Sequence, residues 1–391
     1  MKTLQPQAKV FPVYSGCGKL FFGVNAVKEL KTYISRRKML IVTGRRSAKI
    51  SGALDEAVEI LKNVGAEYSV FSGVRPNPSI DDVLKIVKAY RDAGSDSLLA
   101  IGGGSVIDAA KAAKLLITCG GDIKDYLYGR KKCGARDPPL YAINLTHGTG
   151  TEVDRWAVVT IPETKEKLGM EACYPDVAID DPKYTVTLPR TQTIYVTLDA
   201  FAHAIESATS STASPYVTLL SKEAIRYIVK YLPAVVDDPK NLEARYWLLY
   251  ASMLAGISID HAGTHVGHAI EHVLSGINPN LPHGAGLGIL YNALIKYFYK
   301  SCPEAMAKLL APLNPALKPR SEDAEKAQQA YNAFLEKINF QESLGTYGFG
   351  LDDANTIADI AYDNPILGNW IKGSPIKIDK KDIAEIIKKL V

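Results

Sequence analysis

The sequence contains no run of about 18 apolar residues. Its first residues, Met-Lys-Thr-Leu-Gln-Pro-Gln-Ala-Lys, lack the apolar stretch of a signal peptide. Both absences lead to the expectation of a cytoplasmic protein that does not cross a membrane. Cysteine is scarce: Cys17, Cys119, Cys133, Cys173 and Cys302 are odd in number, widely spaced and include no C-x-x-C pair. That pattern argues against a disulfide framework and against a thiolate metal site. Low-complexity segments and a repeat period are also missing. Net charge is only +4 over 391 residues, and the basic clusters Arg36-Arg37-Lys38, Arg45-Arg46 and Arg130-Lys131-Lys132 are scattered and not interleaved with aromatics. Nucleic acid is therefore disfavoured as a partner. What remains is an ordinary globular composition, 47% hydrophobic and 23% charged, on a chain long enough for two cores.

Along the first half, short apolar runs alternate with longer helical stretches. Lys38–Thr43, Tyr68–Phe71, Ser97–Ile101 and Leu140–Leu145 read as buried parallel strands, and the segments 26–35, 54–64, 80–93 and 106–116 read as helices. This alternation predicts a doubly wound, Rossmann-like parallel sheet, whose ligands bind at the carboxyl ends of strands. From about Leu188-Pro189 onward the strand pattern ceases and helical stretches continue to the end. A boundary is expected there, giving an α/β domain over 1–188 and an all-α domain over 189–391.

Six of the seven histidines fall between Asp199 and His283. An alanine-rich helical segment places Asp199 and His203 at i, i+4, on one face. At roughly 100° per residue, His261, His265, His268 and His272 fall on one helical stripe. The breaker segment Ser275–Pro282 then brings His283 back toward the same centre. So many imidazoles beside one carboxylate predict a metal site, because buried polar groups without partners are costly. At two strand ends the chain carries Gly102-Gly103-Gly104-Ser105, opening a helix, and Thr146-His147-Gly148-Thr149-Gly150-Thr151-Glu152. Glycines between an apolar strand and a helix N-terminus let backbone approach a pyrophosphate, so a dinucleotide is the expected ligand.

Together, Gly102-Gly-Gly-Ser-Val-Ile-Asp108, Thr146–Glu152, Asp199-x-x-x-His203 and His268-x-x-x-His272 followed by Pro282-His283-Gly284 resemble the iron-containing (group III) alcohol dehydrogenases. The similarity spans nearly the whole chain in motif order. It implies an α/β dinucleotide-binding domain, an all-helical domain, an active site in the cleft between them, and a homodimer, for which Lys19–Phe22 is a candidate pairing edge. The resemblance also implies metal ligands at Asp199, His203, His268 and His283, with His272 beside them as a catalytic histidine, and cofactor contacts from Gly102, Gly103, Gly104, Ser105, Asp108, Thr146, Thr149 and Thr151. His261 and His265 match no ligand position. Thr151 stands where the family usually has serine, and His147 has no assigned role.

Three imidazoles and a carboxylate suit Fe²⁺ or Zn²⁺. The implied reaction is reversible hydride transfer between an alcohol and a nicotinamide, the aldehyde or ketone being the other product. Family members that prefer NAD carry an acidic residue after the first strand. Here Gly44-Arg45-Arg46-Ser47 follows it, which predicts NADP over NAD. Trp156, Phe201 and the segment 276–281 are candidate lining for the substrate. The alternatives are a glycerol-type dehydrogenase, a lyase resembling dehydroquinate synthase, and a nucleotide- and metal-binding protein without turnover.

Overall fold

Apolar residues on both faces of a strand force it into the middle of a sheet, and three segments meet that condition. In the computed structural model, which describes residues 11–15, 18–34, 37–134 and 136–391, these are β3 (Lys38–Gly44), β5 (Ser97–Gly102) and β6 (Leu140–Asn144). Almost every residue of the three is buried. With β1 (Phe11–Ser15), β2 (Gly18–Phe22), β4 (Glu67–Val74) and β9 (Val177–Asp180) they form a seven-stranded sheet in the order β1-β2-β9-β6-β5-β3-β4. All its pairings are parallel except β1 with β2.

From β3 the chain first steps outward to β4 and then returns to β5 on the other side of β3. The strand order therefore reverses between β3 and β5, and the crevice beyond their carboxyl ends is where such sheets take ligands. Gly44 closes β3, Gly102 closes β5, and Asn144 lies opposite Gly102 at the end of β6.

Several expectations need correction. Residues 26–35 were expected to be helical; Ala26–Thr32 form a 3-10 helix, and Ser35 lies outside the described residues. Lys19–Phe22 is not an edge, since β2 is hydrogen-bonded to β1 on one side and β9 on the other. Four strands escaped the sequence reading: β1 and β9 of the main sheet, and β7 (Trp156–Ile161) and β8 (Glu166–Glu171), which form a separate antiparallel hairpin. Cys119, the last residue of the helix Gly104–Cys119, is joined to Cys133 in a disulfide. Gly120 and Gly121, both at positive φ, turn the chain back after Cys119. One bridge is thus present where none was expected.

The chain divides into two compact units. One takes it through Thr146 and adds Gly150–Leu188 and Lys240–Leu249; the other comprises His147–Thr149, Pro189–Pro239 and Tyr250–Val391. Among the described residues no strand follows Asp180. Within the second unit the helix Arg190–Thr209 is buried on nearly all sides, as its low amphipathicity predicts. It packs against the helices Pro215–Asp237 and His283–Ser301. No described helix is long and apolar enough to cross a membrane.

Candidate active site

The buried helix Arg190–Thr209 carries Asp199 and His203 one turn apart, the spacing that lets an i, i+4 pair meet. Asp199 Oδ1 lies 3.4 Å from His203 Nε2, 3.6 Å from His268 Nε2 and 3.5 Å from His283 Nε2. His268 comes from the helix Val266–Ile277, and its ring stacks on that of His203 with centroids 4.7 Å apart. His283 opens the helix His283–Ser301 directly after Pro282. Its side chain is the most open of the four, at 22% exposed.

Three imidazoles thus approach one oxygen of the fourth predicted ligand; the ligand atoms of Asp199, His268 and His283 all lie within 4.8 Å of one another, a group to which His203 does not belong. Asp199 Oδ1 and His268 Nε2 are buried yet make no hydrogen bond among the described residues. Ligand bonds of roughly 2.0–2.2 Å would put tetrahedral donor atoms about 3.4 Å apart, close to the three separations measured. A divalent first-row cation fits this donor set. Burial alone would raise the Asp199 pKa, but His203, His283 and His268 outweigh it and hold the carboxyl well below its usual range. Burial pushes His203 down to about 4 against the pull of Asp199. At His268, Glu206 and Asp199 overcome burial and push the imidazole up to about 9. In the absence of a cation, a proton would be the positive charge held here.

His272, four residues after His268, faces the same centre. Its ring centroid lies 6.4 Å from that of His268, 5.5 Å from that of His283 and 5.1 Å from that of Trp370. The single histidine stripe expected from the spacing is not formed. The helix Leu242–Ala262 ends at Gly263, whose φ of +69° stops it, and a new helix begins at Val266. His261 is consequently exposed, with Nδ1 2.7 Å from Ile257 O. His265 is buried, and its Nε2 lies 3.0 Å from Thr209 Oγ1. His147 is buried too, with Nδ1 3.1 Å from Thr197 Oγ1. Phe201, expected to line a substrate pocket, is instead fully buried among Tyr291, Tyr331 and Phe334.

Apart from Thr149, which belongs to the second unit, the predicted cofactor residues lie in the first unit, most of them at three adjacent strand ends. Gly103 is the N-cap of the Gly104–Cys119 helix, and no side chain caps the first turn. A Cβ on Gly103 would lie 2.6 Å from Thr146 Cγ2, so only glycine leaves this backbone open. Gly104 is buried, Ser105 and Thr149 are half-buried, and Thr146 N–H donates to Asn144 Oδ1 at 3.0 Å. Arg45, Arg46 and Ser47 are exposed where β3 gives way to a short helix. Asp108 and Thr151 are engaged inside the unit: Thr151 Oγ1 donates to Asp108 Oδ1 at 2.6 Å, and Val158 N–H donates to Asp108 Oδ2 at 3.0 Å. The buried Lys111 ammonium donates to Thr151 Oγ1 and to Asp154 Oδ1. These side chains fasten the loop to β7 from beneath.

The family model "Iron-containing alcohol dehydrogenase" matches residues 17–182, and "Fe-containing alcohol dehydrogenase family, C-terminal" matches residues 193–391. The chain belongs to the iron-containing alcohol dehydrogenase family. It is 41% identical over 374 residues to the long-chain primary alcohol dehydrogenase AdhA of Thermoanaerobacter ethanolicus, covering 94% of each chain. It is also 32% identical to the 1,3-propanediol dehydrogenase of Klebsiella pneumoniae, over 94% of this chain and 96% of that one. Among solved structures, the NADH-dependent butanol dehydrogenase A of Thermotoga maritima superposes with a TM-score of 0.87 at 29% identity, over 97% of this chain and 98% of the other.

For this iron-containing alcohol dehydrogenase, two residues of the centre were missed in the sequence. Glu206 and Glu271 are fully buried and contact the Nδ1 side of His268 and His283 respectively. Each follows a predicted ligand by three residues, His203 and His268, in an otherwise small or apolar segment. A lone glutamate in such surroundings is the signal that could have found them.

Proposed function

We propose that the chain is an NADP-dependent dehydrogenase of primary alcohols. The convergence of His203, His268 and His283 on Asp199 Oδ1 carries this reading. These four residues would hold Fe²⁺ or, by the same donors, Zn²⁺. When bound, the cation would polarise the alcohol oxygen and the nicotinamide would accept hydride from the adjacent carbon. The 41% identity to a long-chain primary alcohol dehydrogenase supports the substrate class.

The remaining work falls to this chain's own residues. Gly102, Gly103 and Gly104 open the backbone to the pyrophosphate, and the uncapped helix N-terminus supplies positive potential. Ser105, Thr146 and Thr149 offer polar groups beside it, while Asp108 and Thr151 hold the loop in shape. Arg45, Arg46 and Ser47 are placed to bind a 2′-phosphate, with no carboxylate among them to repel it. His272 takes the hydroxyl proton and relays it toward solvent, a task suited to an imidazole.

The test is a panel of primary alcohols of increasing length, assayed on metal-defined protein by absorbance of the reduced nicotinamide with NADP and with NAD. Higher kcat/KM with NADP is expected. Gly44→Asp should move the preference toward NAD by about 10-fold or more, since a Cβ there meets nothing nearer than 3.6 Å and the carboxylate has room. Equal efficiency with both cofactors in the unaltered enzyme would sink the NADP assignment.

A further inference from the structure

Behind two of the three clustered imidazoles stands another carboxylate. Glu271 Oε2 contacts His283 Nδ1, and Glu206 Oε2 lies 3.2 Å from His268 Nδ1. In both rings it is Nε2 that faces Asp199. An ionised carboxylate can only accept a hydrogen bond, so the ring nitrogen beside it must carry the proton. A neutral imidazole with its proton on Nδ1 has its lone pair on Nε2. We infer that Glu206 and Glu271 are positioning residues that fix the Nδ1–H tautomer and the ring orientation of His268 and His283, presenting both Nε2 atoms to a divalent cation; the inference rests on the metal-centre reading above. His203 differs in that among the described residues no carboxylate lies within ion-pair distance of its Nδ1, whereas Glu206 stands 3.2 Å from His268 Nδ1 as a close charge and not as a hydrogen-bond acceptor.

The fold holds both carboxylates in place. Glu206 lies one turn beyond His203 on the same helix and accepts from the backbone N–H of His265, from that of His268 at 3.1 Å and from the Tyr291 hydroxyl at 3.0 Å. Its charge thus sits at the N-terminus of the helix that carries His268, where the helix dipole stabilises an anion. Gly267 makes the approach possible, because a Cβ there would run into Glu206 Oε1. Glu271 lies one turn beyond His268 and passes over Gly286, where a Cβ would come within 3.0 Å of Glu271 Cγ. With Asp199, three buried carboxylates face three imidazoles, and that surplus of negative charge favours a dication over a monovalent ion. Carboxylates behind ligating imidazoles also raise their basicity and lock them in register.

Glu271 is the cleaner position to alter, since Glu206 also caps a helix. The experiment measures zinc and cobalt affinity of metal-stripped protein, and uses nitrogen-15 NMR of labelled histidine to see which ring nitrogen bears the proton. In the unaltered protein His268 and His283 should both show Nδ1–H, with or without zinc. Glu271→Ala should weaken zinc binding by about 10–100-fold and disturb the His283 signal while leaving that of His268. Glu271→Gln, which keeps a carbonyl acceptor, should recover most of the affinity. Glu206→Gln, with its fold checked by circular dichroism, should disturb His268 instead. Zinc affinity unchanged in Glu271→Ala, or an Nδ1 of His283 that carries no proton in the metal-free unaltered protein, overturns the inference. Failure of the unaltered protein to bind either ion would overturn the metal centre itself, a distinguishable result.

Discussion

Two groups of buried carboxyls, one in each unit, respond to burial in opposite ways. In the first unit, Glu152 and Asp180 are buried and Asp108 is half-buried, and their pKa values rise, burial being the largest cause in each. Asp180 is pushed up to about 7. In the second unit Asp199 and Glu206 are equally buried, yet both are held below the usual carboxylate range by the histidines around them. Burial favours the neutral form in either place; only neighbouring positive charge, or a group able to carry it, reverses the sign. The first group belongs to the packed interior beneath a loop. The second surrounds the residues proposed to hold a cation.

Removing one imidazole should break the contrast most severely. His268→Ala is expected to lose bound metal and on the order of 10³-fold or more in kcat/KM, whereas His261→Ala, altered at an exposed position, should retain both. Metal analysis beside the rate assay checks this, and full occupancy and activity in His268→Ala would refute the ligand assignment. His272→Ala should separate proton traffic from cation binding: metal stays, turnover falls by roughly 10²–10⁴-fold, and the pH–rate profile changes. An unaltered profile at near-normal rate would leave His272 with packing alone.

At Gly103 the first unit should respond to bulk. In Gly103→Ala the new methyl would meet Thr146 at 2.6 Å, and an overpacking cost of about 1–3 kcal/mol predicts cofactor binding weaker by roughly 5–150-fold. Metal content should not change, and cofactor titration by fluorescence reads the difference. The smallest effect concerns stability. A carboxyl whose folded pKa exceeds its unfolded value stabilises the fold at low pH, and that contribution is lost as pH rises from 3.8 through about 7. Asp180→Asn should therefore flatten the decline in stability across that window, by on the order of 2 kcal/mol, in urea melts at pH 5 and pH 8. A decline as steep as in the unaltered chain would show that Asp180 is not its source.

Much of this arrangement was legible in the residues. The central strands announced themselves because both their faces are apolar, and the glycines at their ends because a missing side chain has a positional meaning. Asp199 and His203 were readable from helical spacing alone. The hairpin β7–β8 was not, since its half-buried alternation is a weaker signal than a continuous apolar run. Extrapolating one helical stripe through His261 and His265 failed at Gly263, where a single left-handed residue redirects the chain. Phe201 was expected to line the substrate, but two residues after Asp199 it points about 200° away around the helix and faces an aromatic core. The Cys119–Cys133 link depends on a turn that cysteine spacing does not encode.

The helix Arg190–Thr209 is enclosed on nearly every side and bears Asp199, His203 and Glu206 within two turns. Conformational freedom at these side chains is surrendered once, when the chain folds, and is not lost again each time an ion arrives. A centre anchored in this way has little capacity to reshape itself around its guest. At such a centre, ions such as Ca²⁺, which need six to eight oxygens at about 2.3–2.6 Å, would be disfavoured by the stiffness of the scaffold as much as by the nitrogen-rich chemistry of its donors.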